Sequence, residues 1–197
     1  MENFLSDWVQ VMKSVGGLSV AKLKLMGGEG LFKRTLYVGR PNIGNKERLL
    51  QRIEDALDNR WLSNDGPYTR KFEKAVGEVT GAKHNLAVVN ATAGLEIIYK
   101  ALGLEGEVII PSFTFVATAH ALEWLGITPV FCDIEVESQN LDPDNVEALI
   151  TPKTSAIVGV HVWGKPCNVE ALQAIADKHN LALIFDAAHA FGCSHKG

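Results

Sequence analysis

Leu181-Ala182-Leu183-Ile184-Phe185-Asp186 is an apolar run of strand length that ends on an acid. Upstream lies 169–179, whose apolar residues recur at helical spacing, and before that Ala156-Ile157-Val158-Gly159-Val160, a second apolar run. Short apolar runs without alternation read as strands buried on both faces. Two such strands joined by a helix form a parallel β-α-β unit, since antiparallel neighbours need only a short turn.

The same rhythm extends toward the N-terminus. Strands are expected over 129–131, ending in Cys132-Asp133, over 107–110, closed by Pro111, and over 86–89. Helices are expected over 144–150, 114–125 and 93–102, and over 68–80, where Gly81 ends the helix. Before them lie a turn-rich loop at 61–68 and a helix over 45–60, with Leu49, Leu50, Ile53, Ala56 and Leu57 on one face. The fold class is therefore α/β, with a mostly parallel sheet covered by helices. Such sheets bind ligands outside the carboxyl ends of their strands, so the informative residues are those that directly follow each strand.

Residues 1–35 break the pattern. They carry Gly16-Gly17 and Gly27-Gly28 and read as a loosely ordered extension. Phe4, Leu5, Trp8, Val11 and Met12 allow a short amphipathic helix for a membrane surface or a partner.

Composition narrows the function classes. Of 197 residues, 47% are hydrophobic and 21% charged, which is ordinary for a globular domain. A net charge of −4 carries no signature of nucleic-acid binding. No stretch approaches the roughly 20 apolar residues of a membrane span, and no secretory leader pattern is present, so a cytoplasmic location is expected. Cys132, Cys167 and Cys193 are odd in number and widely spaced, which argues for free thiols. Scattered histidines without an HExxH or paired CxxC pattern give no metal site, and without a G-x-S-x-G elbow a serine hydrolase is not indicated.

Four post-strand segments offer chemistry. Asn90-Ala91-Thr92-Ala93-Gly94 opens a helix, where free amides and the helix dipole favour an anion; Asn and Thr also begin helices simply as caps. In Pro111-Ser112-Phe113-Thr114-Phe115, Phe115 is either a plate for a flat ring or a core aromatic. Asp186 is placed to hold a protonated pyridine nitrogen or to cap a helix. His189, three residues on, is either a donor to a cofactor ring or a satisfied core histidine. His161, at the end of the 156–160 strand, faces the same edge, and a structural role for it or for Trp163 fits equally well.

Taken in order, these motifs resemble the DegT/DnrJ/StrS family of sugar aminotransferases. The resemblance runs from about Tyr37 to Gly197. It rests on 61–69 (Trp61-Leu62-Ser63-Asn64-Asp65-Gly66-Pro67-Tyr68-Thr69), Asn90-Ala91-Thr92-Ala93-Gly94-Leu95, 107–118, 126–131, 150–154, Val160-His161-Val162-Trp163-Gly164 and Phe185-Asp186-Ala187-Ala188-His189-Ala190. It implies a fold-type-I architecture dependent on pyridoxal 5'-phosphate (PLP). Residues 36–197 would be the N-terminal part of the cofactor-binding large domain. The rest of that domain and the small domain would be absent. It further implies a homodimer that transfers an amino group, commonly from glutamate, to a nucleotide-linked keto-sugar for deoxyamino-sugar or polysaccharide synthesis.

By position, the amides of Thr92 and Ala93 would bind the cofactor phosphate, Phe115 would stack on the ring, Asp186 would pair with its nitrogen, and His189 would meet the ring hydroxyl. The family's Schiff-base lysine lies beyond the Asp186 motif, and neither Lys165 nor Lys196 matches it. The chain is therefore expected to contribute no catalytic lysine and to be inactive by itself. A PLP-dependent sugar dehydratase, where histidine replaces that lysine, and a non-catalytic regulatory protein are the other readings.

Overall fold

Four apolar runs pair into one sheet: β1 (Glu107–Pro111), β2 (Thr128–Cys132), β3 (Thr154–Val160) and β4 (Ala182–Asp186), in the spatial order β2-β1-β3-β4. All three pairings are parallel, as the buried, non-alternating runs require. The computed structural model describes Tyr37, Gly39 and residues 41–196. The extension over 1–35 and the amphipathic helix with Phe4, Leu5, Trp8, Val11 and Met12 lie outside the described residues.

The chain divides into two units, Met1–Arg60 and Trp61–Gly197. In the first, the described element is helix α1 (Lys46–Asp58), capped by the Asn45 side chain, which accepts from the Arg48 amide at 2.8 Å. Its apolar stripe of Leu49, Leu50, Ile53 and Leu57 is exposed.

The second unit opens with α2 (Pro67–Thr80). Proline begins this helix, where its missing N–H costs nothing, and Gly81 ends it at φ 72°, a conformation that glycine adopts without strain. Next come α3 (Ala91–Ala101), α4 (Ala117–Glu123), the single turn α5 (Pro143–Val146) and α6 (Val169–His179). Alternation along the strands sends side chains to two cores. Val108, Ile110, Ala156, Val158 and Ile184 pack with Leu95 and Tyr99 of α3 and with Ala121 and Leu122 of α4. Ile109 and Ile157 pack on the opposite face with Val146 of α5 and with Leu172 and Ala176 of α6. The sheet is thus covered on both sides.

Three expectations need correction. Residues 86–89 form no strand, and Leu86 and Val89 are exposed. A strand needs a ladder partner, and here the Ala87 amide donates instead to Glu73 Oε1 of α2, at 2.8 Å. The helix expected over 114–125 begins only at Ala117, leaving 112–116 as a loop at the end of β1. The helix expected over 144–150 is α5 followed by a 3₁₀ turn, Glu147–Leu149.

Candidate functional site

The chain runs from β1 outward to β2, and its later strands lie on the other side of β1. That reversal opens a crevice between the carboxyl ends of β1 and β3, the usual ligand position in an open parallel sheet. A cavity of about 340 Å³ lies there. Its walls come from the loops after three strands: Phe113, Thr114 and Phe115 after β1, Val162 and Trp163 after β3, and Asp186, Ala188 and His189 at and after β4. This volume is within the range of small-molecule sites.

Phe115, Asp186 and His189 therefore open onto one cavity. Phe115 is 74% exposed and lies outside both cores of the described residues. Asp186 is held at both oxygens. Oδ1 accepts from the Ala188 amide at 3.1 Å, and Oδ2 accepts from the Thr118 hydroxyl at 3.2 Å. The His189 ring stacks on Trp163 at 5.6 Å between centroids, and its Nδ1 accepts from the Trp163 amide at 3.3 Å. Nε2 is then the nitrogen left to face a ligand.

Thr92 and Ala93 do not line this cavity. They form the first turn of α3, where Asn90 is the cap and its Oδ1 accepts from the Ala93 amide at 2.9 Å. The Ala93 donor is thus engaged within the protein. Among the described residues nothing accepts from the Thr92 amide, which remains available to an anion.

His161 is not brought to the cavity. It stacks on Phe185 at 4.8 Å, and its Nδ1 accepts from the Cys167 amide at 3.2 Å. Burial, then the nearby His195, holds its imidazole below the ordinary histidine value, with Asp186 opposing. In this structure its ring contacts are with Phe185 and Cys167.

Of the residues that shape the cavity, Asn140, Gln139 and Thr118 were not singled out from the sequence. Asn140, almost fully buried, donates from Nδ2 to the Lys165 and Pro166 carbonyls, both at 3.0 Å, and accepts from the Val162 amide at 3.0 Å. This clasp holds the loop that carries Trp163. Trp163 itself sits at φ 57°, sparsely populated for a bulky side chain, while its indole N–H donates to Gln139 Oε1 at 2.7 Å. Such strain persists only where the surroundings enforce it. For Thr114 and Thr118, a spacing of four on an expected helix was the available signal.

An acid, an aromatic plate and an imidazole around one crevice at the carboxyl edge of a parallel sheet define an α/β protein with a site suited to a flat, nitrogen-containing ring. Known proteins give the class a name. The family model described as the DegT/DnrJ/EryC1/StrS aminotransferase family matches residues 44–197, and this chain belongs to that family. It is 43% identical over 164 residues to dTDP-4-amino-4,6-dideoxy-D-glucose transaminase of Escherichia coli, an alignment covering 83% of this chain and 44% of that protein. GDP-perosamine synthase of Caulobacter vibrioides is 38% identical, with 82% and 44% covered.

Among solved structures, DesI in the presence of its TDP-sugar product superposes with a TM-score of 0.83 at 52% identity, covering 91% of this chain and 46% of that one. NtdA of Bacillus subtilis with bound cofactor PMP gives 0.73 at 32%, covering 77% and 35%. The α/β fold with its parallel sheet is thus that of the sugar aminotransferases. The chain spans less than half the length of the curated relatives it matches.

Among the described residues, no helix is long and apolar enough to cross a membrane, and no group of three or more His, Cys, Asp or Glu could hold a metal ion.

Proposed function

We propose that residues 36–197 are the N-terminal part of the cofactor-binding large domain of a PLP-dependent sugar aminotransferase, with 1–35 an extension to it. The observation that carries this reading is the convergence of Phe115, Asp186 and His189 on one cavity. The donor set fits the group. A carboxylate anchored at both oxygens can pair with a protonated ring nitrogen, an exposed phenyl ring can stack on the ring, and the free Nε2 of His189 can meet the ring hydroxyl. The amide of Thr92, and that of Ala93 once Asn90 yields it, would hold the phosphate at the start of α3.

When bound, the cofactor supplies an electron sink for moving an amino group between carbon skeletons. The residues of this chain bind and orient it, and Asp186 keeps a proton on the ring nitrogen. By analogy with the relatives' names, the acceptor is a sugar carried on a nucleotide; the family resemblance adds that it is a keto-sugar and that the donor is glutamate. The working form is a cytoplasmic homodimer. The amine that would hold the cofactor covalently is not among the described lysines near the cavity. Lys165 Nζ donates to the Glu137 carbonyl at 3.1 Å, Lys196 pairs with Glu170, and neither lines the cavity. These 197 residues alone are therefore expected to be inactive.

The test combines turnover with trapping. Protein of the relatives' full length, given glutamate and a dTDP-linked 4-keto-6-deoxyhexose, is expected to release 2-oxoglutarate. D186N is expected to weaken PLP binding by about thirtyfold, the low end of what losing one partner of a desolvated charge pair costs. Borohydride treatment of the 197-residue chain with PLP is expected to leave no site-specific lysine adduct. Absence of 2-oxoglutarate with any nucleotide-linked keto-sugar, together with D186N binding PLP as wild type does, overturns the reading.

A further inference from the structure

Behind the cavity wall, two hydroxyls form a chain that ends on the acid. Thr118, in the first turn of α4, is completely buried, and its Oγ1 lies 3.2 Å from Asp186 Oδ2 and 2.9 Å from Thr114 Oγ1. A hydroxyl has one proton to give and a carboxylate has none. Thr118 gives its proton to Asp186, so the shorter bond must be donated by Thr114. The polarity of the chain is thereby fixed, from Thr114 on the cavity wall, through Thr118, to the carboxylate.

The arrangement is specific in three respects. A buried threonine in a helix usually satisfies itself on the carbonyl one turn back, whereas Thr118 reaches a side chain 68 positions away. Its bond and that of the Ala188 amide hold different oxygens, so the plane of the carboxylate is set by two elements, α4 and the turn after β4. On the buried side of the acid lies Tyr99, whose phenol is pushed up by burial and then by the Asp186 charge, and whose hydroxyl has no partner among the described residues. With the Ala188 amide as the other donor, the Thr118 hydroxyl is a main determinant of where the acid points.

We propose that Thr118 is a positioning residue for Asp186, and that Thr114 orients it by donating into the same chain. The chain aims one carboxylate oxygen of Asp186 into the cavity, where a protonated ring nitrogen pairs with it. This rests on the cofactor reading above, and it adds a residue from a helix that does not touch the cavity.

The experiment uses protein of the relatives' full length and pyridoxamine 5'-phosphate labelled with ¹⁵N in the ring, and reads both the dissociation constant and the ring-nitrogen chemical shift. Thr118→Val keeps the shape and removes the hydroxyl. It is expected to weaken binding about tenfold, the lower part of the range for a hydrogen bond to a charged group, and to move the shift toward the unprotonated ring. Thr118→Ser, which keeps the hydroxyl, is expected to restore both. In a D186N background, Thr118→Val is expected to add nothing, because its effect travels through the acid.

A folded Thr118→Val protein with wild-type affinity and shift overturns the proposal if D186N alters both, and so does a Thr118→Val effect undiminished in the D186N background. If D186N alters neither quantity, the cofactor reading itself fails and takes the proposal with it. Should Thr118→Val not fold, Thr114→Val reads the same chain from the cavity side. A smaller change in the same direction supports the proposal, and no change overturns it.

Discussion

Among the described residues, the Tyr99 hydroxyl is the buried side-chain polar atom without a hydrogen-bond partner. Leaving a buried hydroxyl unpaired costs about 1–3 kcal/mol. The ring itself is fully buried in the core shared by α3, β1 and β3. Tyr99→Phe keeps that ring and removes the orphan, so it is expected to leave stability unchanged or raise it by about 1 kcal/mol, measured by urea unfolding. A loss of a kilocalorie or more would reveal a partner for the hydroxyl, such as a bound water. At this scale the sequence is legible where function sits directly after a strand. Asp186 and His189 were found that way because position alone places them at the ligand edge. Thr118 was not, because its meaning lies in a partner 68 positions distant. Asn140 was equally silent: an isolated asparagine in a turn-rich stretch gives no sign that its amide clasps Val162, Lys165 and Pro166.

Elements were legible where burial dictates the pattern and less so where a partner decides. β1, β3 and β4 follow from their apolar runs, and their helices from period and caps. The 86–89 run has the same apolar character, yet a strand is a pairing, and no strand of the sheet accepts this one. Amide exchange should separate the two cases. Val108, Ile109 and Ile110, hydrogen-bonded inside the sheet and fully buried, are expected to exchange only on global opening. Leu86, Val88 and Val89 are expected to exchange within the fast, locally opened population, with Ala87 slower than its neighbours because it donates to Glu73. Protection of 86–89 equal to that of β1 would sink this account. The late start of α4 has a different cause. Helical period continues through Thr114 and Phe115, but these residues stay in the loop at the end of β1, where Phe115 faces the cavity.

On the scale of the molecule, the core between the sheet and α6 is sealed from its surroundings, and the thiols report it. Cys132 and Cys167 are buried together in the core between the sheet and α6, while Cys193 is exposed. Burial, reinforced by Asp142 and Asp133, pushes the Cys132 thiol up to about 11, and burial pushes the Cys167 thiol up to about 11 as well. The thiolate is the reactive form, so at pH 8 only about one in a thousand of either thiol is primed, even before access is considered. A disulfide reagent added to the folded chain is therefore expected to modify one cysteine quickly, Cys193, and the other two only as the core opens. Because Cys132 and Cys167 share one packed cluster, their slow phases should coincide and should accelerate together in urea. A native-state reaction at Cys167 as fast as at Cys193, or two well-separated slow phases, would show that α6 detaches from the sheet independently of β2. The core on that face would then be two pieces, and the loop carrying His161 and Trp163, which links β3 to α6, would lack the fixed base that the cavity needs.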